Sequence, residues 1–113
     1  MHDFIEGYKL KIFIGESDRH DHMTLYEWIL KQAIQFKLAG GTVVRGMEGY
    51  GSHSQIHSAK ILSLSTNLPI IIEFNDTVKN IENFLPVIDS VVKDGLITLE
   101  TIKLKFYTSK INK

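Results

Sequence analysis

The residues with the clearest chemical potential lie where a predicted strand ends, in the step Gly49-Tyr50-Gly51. Glycines on both sides of an aromatic residue let backbone amides point at an anion, and they leave the ring free to stack on a planar group. A turn that requires positive φ would use the same residues. The step therefore indicates either an anion site or a tight turn, and the pattern alone leaves both open.

A second cluster of possible ligands precedes the first predicted helix and falls within five residues: Asp18, His20, Asp21 and His22. Oxygen and imidazole donors of this kind can hold a divalent ion. No second pair of donors has the rigid spacing of a zinc site, because His53 and His57 lie in a segment without helical periodicity. We therefore expect structural roles here, with a metal site at Asp18, His20 and His22 as the alternative.

Nucleophilic catalysis has little support in the sequence. Serines and histidines occur together in residues 52–58, but no elbow motif surrounds them. The chain has no cysteine, which excludes a thiol nucleophile, a thiolate zinc site and disulfide bonds. We expect a protein that is not an enzyme.

Composition narrows the class of protein further. The 113 residues are 43% hydrophobic and 23% charged, which is typical of one soluble domain. Lysines and arginines number 13, as do acidic residues, so no global field attracts nucleic acid or an anionic membrane. Residues 1–9 do not read as a signal peptide, and no apolar run approaches the roughly 20 residues of a membrane span. We expect a cytoplasmic protein without a nucleic-acid partner.

The elements that position these residues follow the order βαββαβ. Strands are predicted at residues 8–14, 42–50, 69–75 and 98–107. The first helix begins with a capping box of Thr24 and Glu27 and ends at Gly40-Gly41. Residues 75–77 supply the N-cap candidates of the second helix, which is expected to have a kink at Pro86 and to stop at Gly95. The expected fold is α+β and ferredoxin-like, a four-stranded antiparallel sheet with two helices on one face. It forms a single domain with a core at residues 8–107, a flexible loop at 51–65 and a frayed tail at 109–113.

Strand alternation assigns side chains to the two faces of this sheet. The helix-covered face is predicted to hold Tyr8, Leu10, Ile12, Ile14, Ile70, Ile72, Phe74, Ile102, Leu104 and Phe106. The open face is predicted to hold Lys9, Lys11, Phe13, Ile71, Glu73, Lys103, Lys105 and Tyr107. Such a face suits solvation or an oligomer interface. It suits RNA less well, because the third strand lacks a basic, aromatic-rich signature.

Several motifs together resemble the PII-like family catalogued as "domain of unknown function 190". They are residues 12–20 (IFIGESDRH), 25–27 (LYE), 38–46 (LAGGTVVRG), 49–51 (GYG), 54–57 (SQIH), 68–69 (LP) and 84–86 (FLP). The resemblance runs from about Tyr8 to Tyr107 and implies the fold of PII signalling proteins, assembled as a homotrimer. His22 and Thr24 stand where the family more often has glycine and proline, so the start of the first helix should differ slightly.

PII proteins bind adenine nucleotides between subunits at the base of a mobile loop that acts on a partner protein. The resemblance implies that Thr42 lies near that base and that Gly49 and Gly51 offer amides to the nucleotide, with Tyr50 between them. Glu16, Asp18 and Arg45 are further candidates, because they combine motif membership with charge near strand ends. The partner loop would carry Ser52, Ser54 and His57.

Two late positions depart from the PII pattern. Lys103 and Lys105 stand where two arginines hold phosphates, and lysine cannot reproduce a bidentate fork. This difference favours ADP or AMP over ATP as the ligand. A membrane transporter or channel is the partner expected by analogy. The alternative function is a divalent-metal-responsive trimer, similar to cation-tolerance proteins of the same fold.

Overall fold

The computed structural model describes residues 3–50, 57–58 and 67–107. Four strands form an antiparallel sheet: β1 (Ile5–Gly15), β4 (Gly41–Arg45), β7 (Pro69–Thr77) and β8 (Leu96–Leu104). The helices are α1 (Leu25–Gln35) and α2 (Val78–Val91). Two-residue strands form small hairpins: β2 (Arg19–His20) with β3 (Met23–Thr24), and β5 (Glu48–Gly49) with β6 (His57–Ser58). The strand order β4-β7-β1-β8 confirms the predicted ferredoxin-like fold.

The core lies between the helices and the two central strands. Leu10 is opposite Phe74, Ile12 opposite Ile72 and Ile14 opposite Ile70. Directly opposite residues of an antiparallel pair point to the same face. All six side chains are buried in one cluster with Ile29, Ile81, Phe84 and Ile88 of the helices. The predicted phase of β1 and β7 is therefore confirmed.

Helix α1 begins where expected but by a different contact. Thr24 is the N-cap residue with extended backbone, and its side chain accepts no amide hydrogen bond. Its hydroxyl instead donates to Glu27 Oε1 at 3.2 Å. The predicted capping box is therefore wrong in its contacts, although the helix starts at the predicted place.

The end of α1 differs from the prediction. The helix ends at Gln35, and Lys37 takes the left-handed conformation with φ 61°. The Leu38 amide donates to the Ala33 carbonyl at 3.1 Å and the Lys37 amide to the Ile34 carbonyl at 3.0 Å. This is a Schellman motif with lysine in the position usually held by glycine. Gly40-Gly41 does not end the helix, because the chain has already turned away before these residues.

Helix α2 has its N-cap where predicted, within residues 75–77, and begins at Val78. Thr77 is the N-cap, and its hydroxyl accepts the Asn80 amide at 3.2 Å. The prediction for its C-terminus is wrong: the helix ends at Val91 and Val92 is already extended. No glycine among the described residues has positive φ. Gly95 instead packs closely, since an added Cβ would lie 2.5 Å from the Phe13 carbonyl oxygen. Pro86 lies inside α2, and the kink there stays a prediction.

Strand β8 has the opposite phase to the prediction. Leu99 is opposite Leu10 and Ile97 opposite Ile12, so these two residues face the helices. Ile102 and Leu104 point to the open face, and Phe106 lies beyond the strand and is exposed. The phase could not be read from alternation, because β8 is an edge strand with apolar residues on both faces.

This correction changes the open face of the sheet. Lys103 is opposite Glu6 and shares the helix side of the sheet, while Lys105 and Tyr107 follow the end of the strand. The predicted group of four lysines on the open face is therefore wrong. Lys9, Lys11, Phe13, Ile71 and Glu73 do lie there, because they alternate with the buried residues of β1 and β7.

The second predicted strand is also shorter than expected. β4 ends at Arg45, and Glu48–Gly49 forms the separate strand β5. The predicted loop at 51–65 lies outside the described residues except for His57–Ser58, and the predicted tail at 109–113 lies outside them entirely. In the described part of the chain, neither helix is long and apolar enough to cross a membrane.

Candidate functional site

Three segments meet at one end of the sheet and form the Arg45 corner. They are residues 15–18 after β1, residues 45–50 after β4, and residues 67–69 before β7. The antiparallel pairing places these strand ends side by side, since Arg45 is opposite Ile70 and Ile70 is opposite Ile14. Most of the nucleotide-site candidates predicted from sequence lie in this corner.

Hydrogen bonds that residues 67–69 accept hold the corner together. The Glu16 amide donates to the Leu68 carbonyl at 2.8 Å, and the Gly46 amide donates to the Pro69 carbonyl at 2.7 Å. The Ser17 amide donates to Asn67 Oδ1 at 2.8 Å. Residues 67–69 therefore bridge the chain after β1 to the chain after β4, and they fix the spacing between Glu16 and Arg45.

Arg45 and Glu16 form the central ion pair of this corner. Arg45 Nη1 donates to Glu16 Oε2 at 2.8 Å. This hydrogen bond and the charge of Glu16 raise the pKa of Arg45 above its ordinary value. The Arg45 side chain remains 60% exposed. A guanidinium has five donors in a fixed fork, so donors remain for an anion in solution.

Gly49 and Tyr50 lie at the outer side of the corner. Gly49 lacks positive φ, so the tight-turn interpretation does not hold for this residue. A Cβ at Gly49 would lie 2.8 Å from Pro69 Cγ, so glycine permits the close approach of the proline ring. Gly49 is also opposite His57 in the β5–β6 ladder. Tyr50 is 73% exposed, which leaves its ring available for stacking, and Gly51 lies outside the described residues.

Asp18 has a structural task within the corner. Its carboxylate accepts the Gly15 amide at 3.1 Å, and its carbonyl accepts the Leu25 amide at 2.7 Å. It therefore closes the turn after β1 and ties that turn to the first residue of α1. Its predicted role at the nucleotide remains a prediction.

The predicted metal ligands do not converge in the structure. Asp18 is engaged in the turn, and the His20 ring packs edge-on against Trp28 at 4.5 Å between ring centroids. His22 is exposed, with φ 67°, in the tight turn between β2 and β3. Over residues 3–50, 57–58 and 67–107, the structure shows no group of three histidine or acidic side chains arranged to hold a metal.

Thr42 and the two late lysines lie away from the corner. Thr42 is exposed on β4 opposite Glu73 and points to the open face. Lys103 pairs with Glu6 at 2.7 Å, and Lys105 lies 3.9 Å from Asp3. β4 and β8 are opposite edges of the sheet, and Lys103 is level with Glu6, whereas Arg45 is level with Ile14. Strand spacing and rise put Arg45 and Lys103 roughly 30 Å apart within one chain.

Sequence reasoning missed the residues that build the corner. Asn67 and Pro69 position Glu16, Arg45 and Gly49, yet no role was predicted for them. It also missed the buried Asp76, which accepts hydrogen bonds from the Ala39 amide at 2.7 Å, the Thr77 amide at 2.7 Å and the Asn80 side chain at 3.1 Å. A carboxylate in the inward phase after Ile70, Ile72 and Phe74 is a sequence signal for such a buried, satisfied acid.

Solved structures of similar fold include PII-like proteins. CPII, a nitrogen regulatory PII-like protein from Thiomonas intermedia K12 bound to ADP, AMP and bicarbonate, superposes with a TM-score of 0.65. It is 16% identical, and the match covers 89% of this chain and 97% of CPII. A protein from Thermus thermophilus, described as a PII-like signalling candidate, gives a TM-score of 0.64 at 15% identity, over 91% and 93% of the two chains.

Sequence comparison identifies the family. A UPF0166 protein of Aquifex aeolicus (strain VF5) is 34% identical over 95 residues, which cover 84% of this chain and 90% of that protein. A UPF0166 protein of Methanocaldococcus jannaschii is 37% identical over 91 residues, covering 80% and 83%. Residues 7–104 match the family described as DUF190 (Uncharacterized ACR, COG1993). The chain belongs to this DUF190 family, whose members named above are called UPF0166 proteins.

Proposed function

We propose that the chain is a PII-like regulatory protein that binds an adenine nucleotide, ADP or AMP in preference to ATP, between the subunits of a homotrimer. The observation that carries the proposal is the fold shared over about nine-tenths of the chain with CPII, whose structure contains ADP and AMP. Membership of the DUF190 family agrees with the resemblance on which the expected site residues rest. The residues of the Arg45 corner supply chemistry suited to such a ligand.

Arg45 is the residue best placed to hold a phosphate group. Its guanidinium is anchored by Glu16 on one side, and more than half of the side chain faces solvent. Anchoring by a carboxylate lowers the entropy lost on binding, since the side chain is already oriented. The exposed Tyr50 ring lies five residues along and can stack on a base.

The site is incomplete in one chain, and this supports its location between subunits. Lys103 and Lys105 can act on the same nucleotide as Arg45 only if they come from a neighbouring subunit, because roughly 30 Å separates Arg45 and Lys103 within a chain. Thr42 points to the open face, where it would meet a neighbour in the same assembly. Asp18 holds the turn beside Glu16 and acts as a positioning residue.

The open sheet face has the character of a self-complementary surface. Lysines of β1 and acids of β7 and β8 alternate across it, with Lys11 opposite Glu73 and Lys9 opposite Glu100. Val44 is 52% exposed and Leu96 is 58% exposed on the same face. Apolar area next to charges of both signs is typical of the surface that homo-oligomers bury.

The protein would act in the cytoplasm, and its regulatory output would pass through the segment that follows Tyr50, including Ser52, Ser54 and His57, to a membrane transporter or channel. A ligand held at the base of a long connection can bias its conformation. No step of this mechanism requires catalysis.

Calorimetric titration of ADP, AMP and ATP into the purified protein tests this function. We expect ADP or AMP to bind more tightly than ATP. The Arg45→Gln variant should bind at least ten-fold more weakly, because a charge-assisted contact to phosphate is lost. Lys31→Gln removes one positive charge from an exposed position of α1 and should bind as the parent does.

Thermal unfolding separates this function from the metal-responsive alternative. A nucleotide at about 100 times its dissociation constant stabilises the fold by about 2.7 kcal/mol, a shift of several degrees for a domain of this size. Stabilisation by divalent ions that a chelator reverses, without any nucleotide effect, would overturn the proposal. If the Arg45→Gln and Lys31→Gln variants bind the nucleotide equally well, Arg45 does not contact it and the nucleotide site lies elsewhere.

A further inference from the structure

Lys103 and Lys105 both lie beside carboxylates of the N-terminal residues. Lys103 Nζ lies 2.7 Å from Glu6 Oε2, and the two residues are directly opposite in the β1–β8 ladder. Lys105 Nζ lies 3.9 Å from Asp3 Oδ2. These residues, together with Phe4 and Tyr107, form what we name the β8 end. Lys103 is therefore hydrogen-bonded to a carboxylate of its own chain, and Lys105 lies within ion-pair distance of another.

Aromatic rings restrict the position of Lys105. Its ammonium lies 5.8 Å from the centroid of the Phe4 ring and 5.5 Å from that of the Tyr107 ring. Contacts of this kind attract a cation and orient it. Lys103 and Lys105 are two residues apart, which spaces their backbones by about 7 Å along the strand direction. The β8 end thus carries two ammonium groups on residues two apart in sequence, and the Lys105 ammonium lies close to two aromatic rings.

The carboxylates are held loosely enough to be displaced. Glu6 is 62% exposed, Lys103 is 61% exposed and Asp3 is 72% exposed. Ion pairs in such settings contribute little, because water and salt screen them. A phosphate group carries more negative charge and more acceptor oxygens than a carboxylate, so it competes well for the same lysines.

We propose that Glu6 and Asp3 act as internal competitors that mask a phosphate-binding pair formed by Lys103 and Lys105. A diphosphate must displace both carboxylates to reach the lysines, so the N-terminal residues set the affinity of this half of the site. For ADP the inference rests on the proposed function, in which these lysines complete the nucleotide site of a neighbouring subunit. For a free diphosphate it rests on the β8 end alone.

The double variant Glu6→Gln with Asp3→Asn removes the competitors with little change of shape. Asparagine suits position 3 because Asp3 has φ 70°, a conformation that asparagine tolerates well. Calorimetry should show ADP and inorganic pyrophosphate binding about two- to five-fold more tightly than to the parent protein. Adding Lys103→Gln and Lys105→Gln should abolish this gain, and so should 1 M salt, where the Debye length falls to about 3 Å.

A matched control removes the same amount of charge elsewhere. Glu82→Gln with Asp89→Asn neutralises two exposed acids of α2 and should leave both affinities as in the parent. Equal gains in affinity in the two double variants would show that net charge alone causes the effect, and they would overturn the inference. If the parent binds ADP and the N-terminal variant binds it no better, the masking idea alone fails. If neither protein binds ADP, the proposed function fails. The pyrophosphate titration then tests the masking inference by itself. If the N-terminal variant binds pyrophosphate no more tightly than the parent, the inference is overturned.

Discussion

The Arg45 corner and the β8 end both place basic side chains beside carboxylates, yet different forces hold them. In the corner, backbone amides of Glu16 and Gly46 bond to carbonyls of residues 68 and 69, and the ion pair sits on that frame. At the β8 end, the lysines and their carboxylates are joined through side chains of which three are more than 60% exposed, while Lys105 is 34% exposed. The corner is therefore preorganised, whereas the β8 end can exchange its partners.

This difference separates two tasks that a ligand site needs. A rigid frame orients a donor before the ligand arrives, which limits the entropy lost on binding. Loose ion pairs let affinity respond to salt and to competing anions. If the two regions meet across subunits, one would supply geometry and the other adjustable charge.

The largest effect should follow from adding one methyl group to the corner. Gly49→Ala places a Cβ only 2.8 Å from Pro69 Cγ, so either the proline ring or the backbone at residue 49 must shift. Overpacking of this kind costs about 1–3 kcal/mol. Chemical denaturation should show that loss of unfolding free energy.

Gly40→Ala is the matched control for that substitution. Gly40 precedes β4, has no atom within 4 Å of an added Cβ and lacks positive φ. Alanine there should be neutral or stabilise by about 0.4–1 kcal/mol through the unfolded chain. Combining Gly49→Ala with Pro69→Ala should restore part of the loss. Purely additive costs would contradict the proposed contact with Pro69.

Asn67→Ala should loosen the corner by a smaller amount. The change removes the acceptor for the Ser17 amide, a 2.8 Å hydrogen bond that bridges residues 17 and 67. One such bond contributes about 1 kcal/mol. Asn67→Asp keeps an acceptor oxygen and should lose less. Hydrogen exchange at the Ser17 amide should quicken in the alanine variant only, and unchanged exchange in both would contradict this role for Asn67.

The orientation of the two central strands could be predicted because burial alternates along them. Every second residue is buried along β7 and from Leu10 to Ile14 in β1, so alternation predicts which face Leu10, Ile12, Ile70 and Ile72 occupy. In β8, apolar residues lie on both faces, and only pairing with β1 decides their direction. The end of α1 was not predicted correctly because Lys37 adopts the left-handed conformation, which is usually found at glycine.

The candidate site was predicted only in part, for a related reason. Charged residues near strand ends suggested Glu16 and Arg45, and the structure does bring them together at 2.8 Å. The residues that fix their separation act through backbone carbonyls and a proline ring, which carry no signal of charge or periodicity. Lys103 was assigned to the wrong face because that assignment depended on the phase of β8.

A substitution in the turn between β2 and β3, next to the corner, should increase stability. Asp21 and His22 join β2 to β3 with φ 53° and 67°, the arrangement of a two-residue hairpin turn that favours glycine. His22→Gly should remove the steric cost of the left-handed conformation, partly offset by the greater freedom of the unfolded chain. We expect a net stabilisation of about 0.5–1 kcal/mol by denaturation. Lys31→Gln, at an exposed position of α1, gives a baseline near zero, and a loss of stability in His22→Gly would contradict strain at this position.

The smallest change in stability should come from breaking the ion pair between Glu6 and Lys103 at the β8 end. Glu6→Gln leaves Lys103 exposed to water, so neither partner becomes a buried, unpaired charge. The unfolding free energy should fall by a few tenths of a kcal/mol, about 0.3, and the difference should vanish at 1 M salt. A loss above roughly 1 kcal/mol that persisted in salt would mean that this end is as firmly built as the corner. A negligible loss would instead fit carboxylates that a phosphate group can displace without disturbing the sheet beneath them.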